Sequence, residues 1–70
     1  MANTEWIIDF DIKENVKKIE IILKNMGCNI EESIILFISA LGIIQVTVFG
    51  PIDLPEKLQD VSSFKRIEPI

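Results

Sequence analysis

Histidine is absent from this chain of 70 residues, and cysteine occurs once, at Cys28. Without histidine there is no Ser-His-Asp triad and no imidazole metal ligand, and a lone cysteine closes neither an internal disulfide nor a C-x-x-C metal loop. No cofactor or metal is expected, and no enzymatic activity. Cys28 sits beside Gly27 among apolar residues, with nothing nearby in sequence to lower its pKa, so it reads as a small buried packer. Basic residues are few: 7 Lys and Arg stand against 11 Asp and Glu, giving a net charge of −4 and a pI near 4.6. That balance argues against a nucleic-acid surface, whose affinity rests on Lys and Arg neutralising phosphates. Apolar runs end well short of the ~20 residues of a membrane span. Met1-Ala2-Asn3-Thr4-Glu5 has neither the positive region nor the apolar core of a signal peptide, which places the chain in the cytoplasm. Gly50-Pro51 lacks the glycine run and lysine of a phosphate loop.

What is present is apolar and patterned. With 49% hydrophobic residues and a mean hydropathy of +0.36, the chain is too apolar for disorder. It reads as a single domain, residues 1–70, small enough that only about 60% of its unfolded surface can be buried, so a partner would help it. The stretch Ile43–Ile70 carries the strongest signal. Ile44, Val46 and Val48 alternate with Gln45 and Thr47, the period of a strand. Gly50-Pro51 ends it, Asp53 can cap a helix through its carboxylate, Pro55 fits the first turn, and Leu54, Leu58 and Val61 recur at helical spacing. After Ser62-Ser63, Phe64–Glu68 reads as a closing strand, and Pro69 suggests an edge or an end.

The N-terminal half repeats the pattern. Trp6, Ile8, Phe10 and Ile12 alternate with Ile7, Asp9 and Asp11, predicting a half-buried strand with Phe10 in the core and Trp6 as a core or edge anchor. A helix over roughly 13–26 follows, with Val16, Ile19, Ile22, Leu23 and Met26 as its apolar stripe, Ile21 off it, and Gly27 as its stop.

Asn29–Leu41 supports two readings. As a helix it has Asn29 as cap, Glu31 and Glu32 in the first turn, and Ile30, Ile34, Phe37, Ile38 and Leu41 on one side. As a strand it offers Ser33–Ser39, rich in β-branched residues, with Ala40-Leu41-Gly42 as a tight connection. The strand reading uses the whole chain. It gives two βαβ halves, an α+β domain of ferredoxin-like βαββαβ order with two helices on one face of a four-stranded antiparallel sheet.

Leu41-Gly42-Ile43-Ile44, Val46-Thr47-Val48, then Leu58, Val61, Phe64 and the closing Ile67-Glu68-Pro69 resemble the propeptide-like inhibitors of subtilisin-type proteases over residues 41–69. The resemblance implies a protein-binding domain that docks its open sheet face on surface helices of a subtilisin-like protease and sends its C-terminus, here Glu68, Pro69 and Ile70, into the cleft. Asp9 and Asp11 then lie on the open face with Ile7, where carboxylates could meet helix N-termini of a partner. Solvated charges that keep an exposed sheet soluble explain the same two residues. Phe37 and Phe49 complete the candidate patch, and exposed groups of that size call for a partner protein or a homo-oligomer such as a dimer. The chain is also similar to short bacterial proteins that carry the label ketohydroxyglutarate aldolase, an activity that needs a barrel of ~200 residues or more.

A second resemblance belongs to another class. Residues 6–41, with a short strand, a helix ending Met26-Gly27-Cys28-Asn29 and a second segment Glu32-Ser33-Ile34-Ile35-Leu36-Phe37-Ile38, look like a ribbon-helix-helix antitoxin or regulator. That resemblance implies a strand pair in the major groove and a C-terminal tail, Val46–Ile70, that wraps a toxin. Ile7, Asp9 and Asp11 would then face the DNA, and the acids would repel it.

Overall fold

The computed structural model describes residues 3–70. Met1 and Ala2, the expected start of a leader-free N-terminus, lie outside the described residues. Strand β1 (Thr4–Asp11) alternates as its sequence dictates, with Trp6, Ile8 and Phe10 buried and Ile7, Asp9 and Asp11 turned the other way. Trp6 also donates its indole N–H to the Pro51 carbonyl at 3.1 Å, so the polar tip of a buried ring is satisfied.

Helix α1 (Val16–Asn25) is shorter than the 13–26 expected. Lys13 and Glu14 are spent on the turn that leaves β1, where the Glu14 N–H donates to the Asp11 carbonyl at 3.0 Å. Asn15 then caps the helix, its side chain accepting from the Lys18 N–H at 3.2 Å. At the other end Gly27 adopts φ +93°, a conformation closed to most side chains. The Cys28 N–H reaches back to the Leu23 carbonyl at 3.0 Å and the Gly27 N–H to that of Lys24 at 3.1 Å. This is the paired 6→1 and 5→2 closure that satisfies orphan carbonyls at a helix end. It also buries Leu23 and Cys28 together in the core.

The disputed middle is strand β2 (Asn29–Ile38), followed by a 3₁₀ turn at Ser39–Leu41. The helix that the ribbon-helix-helix reading requires there does not exist, so the chain does not have that fold. The residues decide it physically: as a strand they continue the sheet beside β3 (Ile43–Gly50), and β-branched side chains suit a pleated surface. Helix α2 (Leu54–Lys57) is a single turn extended by a 3₁₀ turn at Leu58–Asp60, and it buries Leu54 and Leu58. The Asp53 carboxylate does not cap it, contrary to expectation. With φ −91° and ψ 12°, Asp53 lacks the extended backbone that aims a capping side chain at the helix N–H groups, and its carboxylate pairs with Lys57 at 3.8 Å instead. Strand β4 (Phe64–Pro69) closes the chain.

The four strands form one antiparallel sheet in the order β2-β3-β1-β4, the ferredoxin-like α+β fold. β1 and β2 are each antiparallel to β3, so they run parallel to each other across it; β3 and β4 have the same relation across β1. Both helices supply core side chains. Ile19 and Leu23 from α1, and Leu54 and Leu58 from that end of the chain, pack with Trp6, Ile8, Phe10, Ile44, Val46 and Val48. Among the described residues, no buried side chain is polar or charged. Close packing explains Gly50: a Cβ there would lie 2.8 Å from the Cys28 sulfur and 3.2 Å from Leu54 Cδ2. No helix among the described residues is long and apolar enough to cross a membrane.

Candidate interaction surface

The face of the sheet away from the core is where the candidate residues converge. Register sets its rows. Leu36, Gln45, Asp9 and Arg66 stand side by side across the four strands, and Ile34, Thr47, Ile7 and Glu68 form the neighbouring row. Ile38, Ile43 and Asp11 make a third row, and Phe49 lies opposite Glu5 in a fourth. The surface is therefore divided: apolar toward β2, carboxylate-rich toward β1 and β4.

The polar half is internally tied. The Gln45 amide donates to Asp9 Oδ1 at 3.4 Å, Asp11 Oδ1 accepts from the Lys13 backbone N–H at 2.9 Å, and Arg66 pairs with Glu68. Each carboxylate keeps an oxygen with no partner in those contacts, so a hydrogen-bond donor on a docking protein can still be accepted.

The structure places Ile7, Asp9, Asp11 and Phe49 on this face, but not Phe37. Phe37 lies opposite Ile44, so it shares the parity of the buried β3 residues and stands on the helix side of the sheet, 63% exposed because nothing covers it. The apolar residues that β2 contributes to the open face are Ile34 and Leu36, with Ile38 beside them. Sequence reading missed them because Ser33–Ser39 is apolar almost throughout and has no alternation to fix its parity. The pairing Ile34 with Thr47 and Leu36 with Gln45 supplies what the segment itself lacks.

The closing strand expected at Phe64–Glu68 is present as β4 and runs on through Pro69 at an edge of the sheet. Glu68 lies opposite Ile7 and Pro69 opposite Trp6, and the Ile70 N–H donates to the Glu5 carbonyl at 2.9 Å. They are the end of an edge strand rather than an extended tail.

Two further features hold polar or thiol groups, and neither makes a site. Asp11, Lys13, Glu14, Lys18, Ser62 and Ser63 line an open depression of about 280 Å³. Its groups mostly serve the turn before α1. The Glu14 carboxyl is held below its ordinary pKa first by the Asn15 backbone N–H, with the nearby Lys18 ammonium adding to the effect. Cys28 is buried, and that burial, only partly opposed by the charge of Lys57, pushes its thiol up to about 11. A thiol so protonated is not a nucleophile near neutral pH. Comparison with family models, with curated proteins and with solved structures finds no match to this chain.

Proposed function

We propose that this chain is a non-catalytic protein-binding domain whose open sheet face docks on surface helices of a subtilisin-type serine protease, in the manner of a propeptide-like inhibitor or chaperone. The observation that carries the reading is the uncovered face itself: both helices pack on the opposite side, leaving Ile7, Thr47 and Phe49 beside Asp9 and Asp11 with nothing over them. Carboxylates on such a surface favour partner helix N-termini, where unpaired N–H groups and the helix dipole attract negative charge. Because Glu68–Ile70 are held in β4, the contact belongs to the face, and entry of the C-terminus into a cleft would require β4 to release its last pairs.

Titration of the purified chain against a subtilisin-type protease, read by size exclusion and by peptidase rate, tests this. A complex at micromolar concentration, weakened about 30-fold or more by Asp9→Asn with Asp11→Asn, is the expected result; each of the two lost charge-assisted hydrogen bonds is worth of the order of 1 kcal/mol or more. No complex and an unchanged rate at micromolar excess would remove the protease reading.

A further inference from the structure

The sheet has two free edges, and they are protected to different extents along their length. β4 carries Lys65, Arg66 and Glu68, a register irregularity that leaves Lys65 without a partner, and Pro69 near its end. Charge, bulge and proline are the devices by which edge strands are kept from pairing with other chains. β2 has its irregularity between Asn29 and Ile34, and from Ile34 to Ile38 it pairs regularly with β3. Its outer side is unpaired in the sheet order β2-β3-β1-β4. Residues 33–52 contain no charged side chain at all. Around that free edge, Ile34 is 58% and Leu36 51% exposed on the open face, and Phe37 is exposed on the helix face.

We infer that the free edge of β2 is the interface with a second copy of this chain, paired antiparallel with Leu36 opposite Leu36, so that two four-stranded sheets run on as one. The register follows from the chemistry. Centred on Leu36, each Ile34 faces the other copy's Ile38 on the open face, and each Ile35 faces a Phe37 on the helix face. Every apolar side chain meets another, and the outward backbone N–H and C=O groups of both edges are satisfied at once.

Charge selects this arrangement. Antiparallel pairing carries Glu31 and Glu32 of the two copies to opposite ends of the seam, with the two Glu32 positions about 27 Å apart at about 3.4 Å per residue. Parallel pairing in register would stack them. Face-to-face association is disfavoured for the same reason, because the open face brings Glu5, Asp9, Asp11 and Glu68 against a single Arg66. A foreign strand with charges of its own would find nothing along Ile34–Ile38 to pair with, whereas the copy matches it residue for residue. The two-fold pairing uses up the uncharged stretch Ile34–Ile38 and leaves the charged edge β4 outermost on both copies, so assembly stops at two. It leaves Ile7, Asp9, Asp11 and Phe49 uncovered and does not depend on the proposed docking function.

Sedimentation velocity on the full chain across the micromolar range tests it. The expected species has twice the 8.0 kDa chain mass. Leu36→Lys, and separately Ile34→Lys, should weaken association roughly 30-fold or more, the size of a hot-spot loss, while far-UV circular dichroism stays that of the parent; both side chains are more than half exposed. Leu36→Cys should give a disulfide-linked dimer on oxidation, and Arg66→Cys on the other edge should not. A monomer throughout the range, a dimer indifferent to both lysine variants, growth beyond two copies, or cross-linking through position 66 in place of position 36 would overturn the inference. Protease titration plays no part in any of these outcomes, so the two proposals fail separately.

Discussion

β4 spends three of its six residues on charge and a fourth on proline, whereas β2, ten residues long, has no charge after Glu32. Both strands pair with a single neighbour in the same sheet, so the contrast is one of chemistry and not of position. An edge strand that must stay solvated needs side chains that pair badly with another strand; one that is to be covered needs the opposite. The polar end of the open face, with Asp9, Asp11, Arg66 and Glu68, lies on the β4 side, and the apolar end, with Ile34, Leu36 and Ile38, on the β2 side. One small sheet thereby has a charged edge, a divided face and an edge that is apolar from Ile34 to Ile38.

The contrast can be broken outright by giving β4 the chemistry of β2. Replacing Lys65, Arg66 and Glu68 by Val, Ile and Val supplies a second uncharged edge stretch, and a sheet with two such edges has no closed end point. Light scattering should report open-ended growth in place of a defined species, a larger effect than any single substitution should produce.

A second comparison sets the middle of the sheet against the apolar stretch of its β2 edge. Phe10 is fully buried and meets Phe64 edge-to-face with ring centroids 6.5 Å apart, so Phe10→Ala should cost about 3–5 kcal/mol, enough to unfold most of a domain of this size. Phe37→Ala, at an exposed position, should change monomer stability by about 0.5 kcal/mol or less. Urea titrations in the Leu36→Lys background separate folding from assembly; equal losses at the two positions would show that the edge is part of the core.

Gly50→Ala tests the packing where β3 passes Cys28. With the new methyl 2.8 Å from the sulfur, a loss of about 1–3 kcal/mol is expected from overpacking. Cys28→Ala should restore part of it in a double-mutant cycle, since the two positions touch.

The smallest effect is the pH dependence of Cys28. Its thiol stays protonated in the folded chain up to about 11, whereas in the unfolded chain it ionises from about 8.5. Between those values the unfolded state binds fewer protons, so stability falls as pH rises through the window. Cys28→Ala should flatten that decline, and labelling of the native thiol near pH 8 should be slow. A thiol that labels freely at pH 8 would place Cys28 outside the core.

Much of the fold was legible because its central strands are half-buried. Trp6, Ile8 and Phe10 alternate with Ile7, Asp9 and Asp11, and Val46 and Val48 with Gln45 and Thr47, and burial follows that alternation. The helix stop at Gly27 was legible for a local steric reason. The edges were not. Ser33–Ser39 has no polar residue to mark a face, so Phe37 was assigned to the wrong side and Ile34 and Leu36 were overlooked. The closing strand at Phe64–Glu68 was legible, but its tie at the very end was not, because nothing local shows that the Ile70 N–H will find the Glu5 carbonyl, 65 residues earlier in the chain.

The amino-acid sequence by itself determined the elements whose reasons are local: the alternating strands, the apolar stripe of α1 and the glycine stop. Tertiary structure decided whatever depends on a neighbour distant in the chain. Pairing with β3 made Asn29–Ile38 a strand and set its register. Pairing with β1 turned the C-terminal residues into an edge. The order of the strands put Lys65, Arg66 and Glu68 on one edge and the uncharged stretch Ser33–Ile38 on the other. Periodicity records which side of an element is apolar, but only the register of one strand against the next shows where that side finally points.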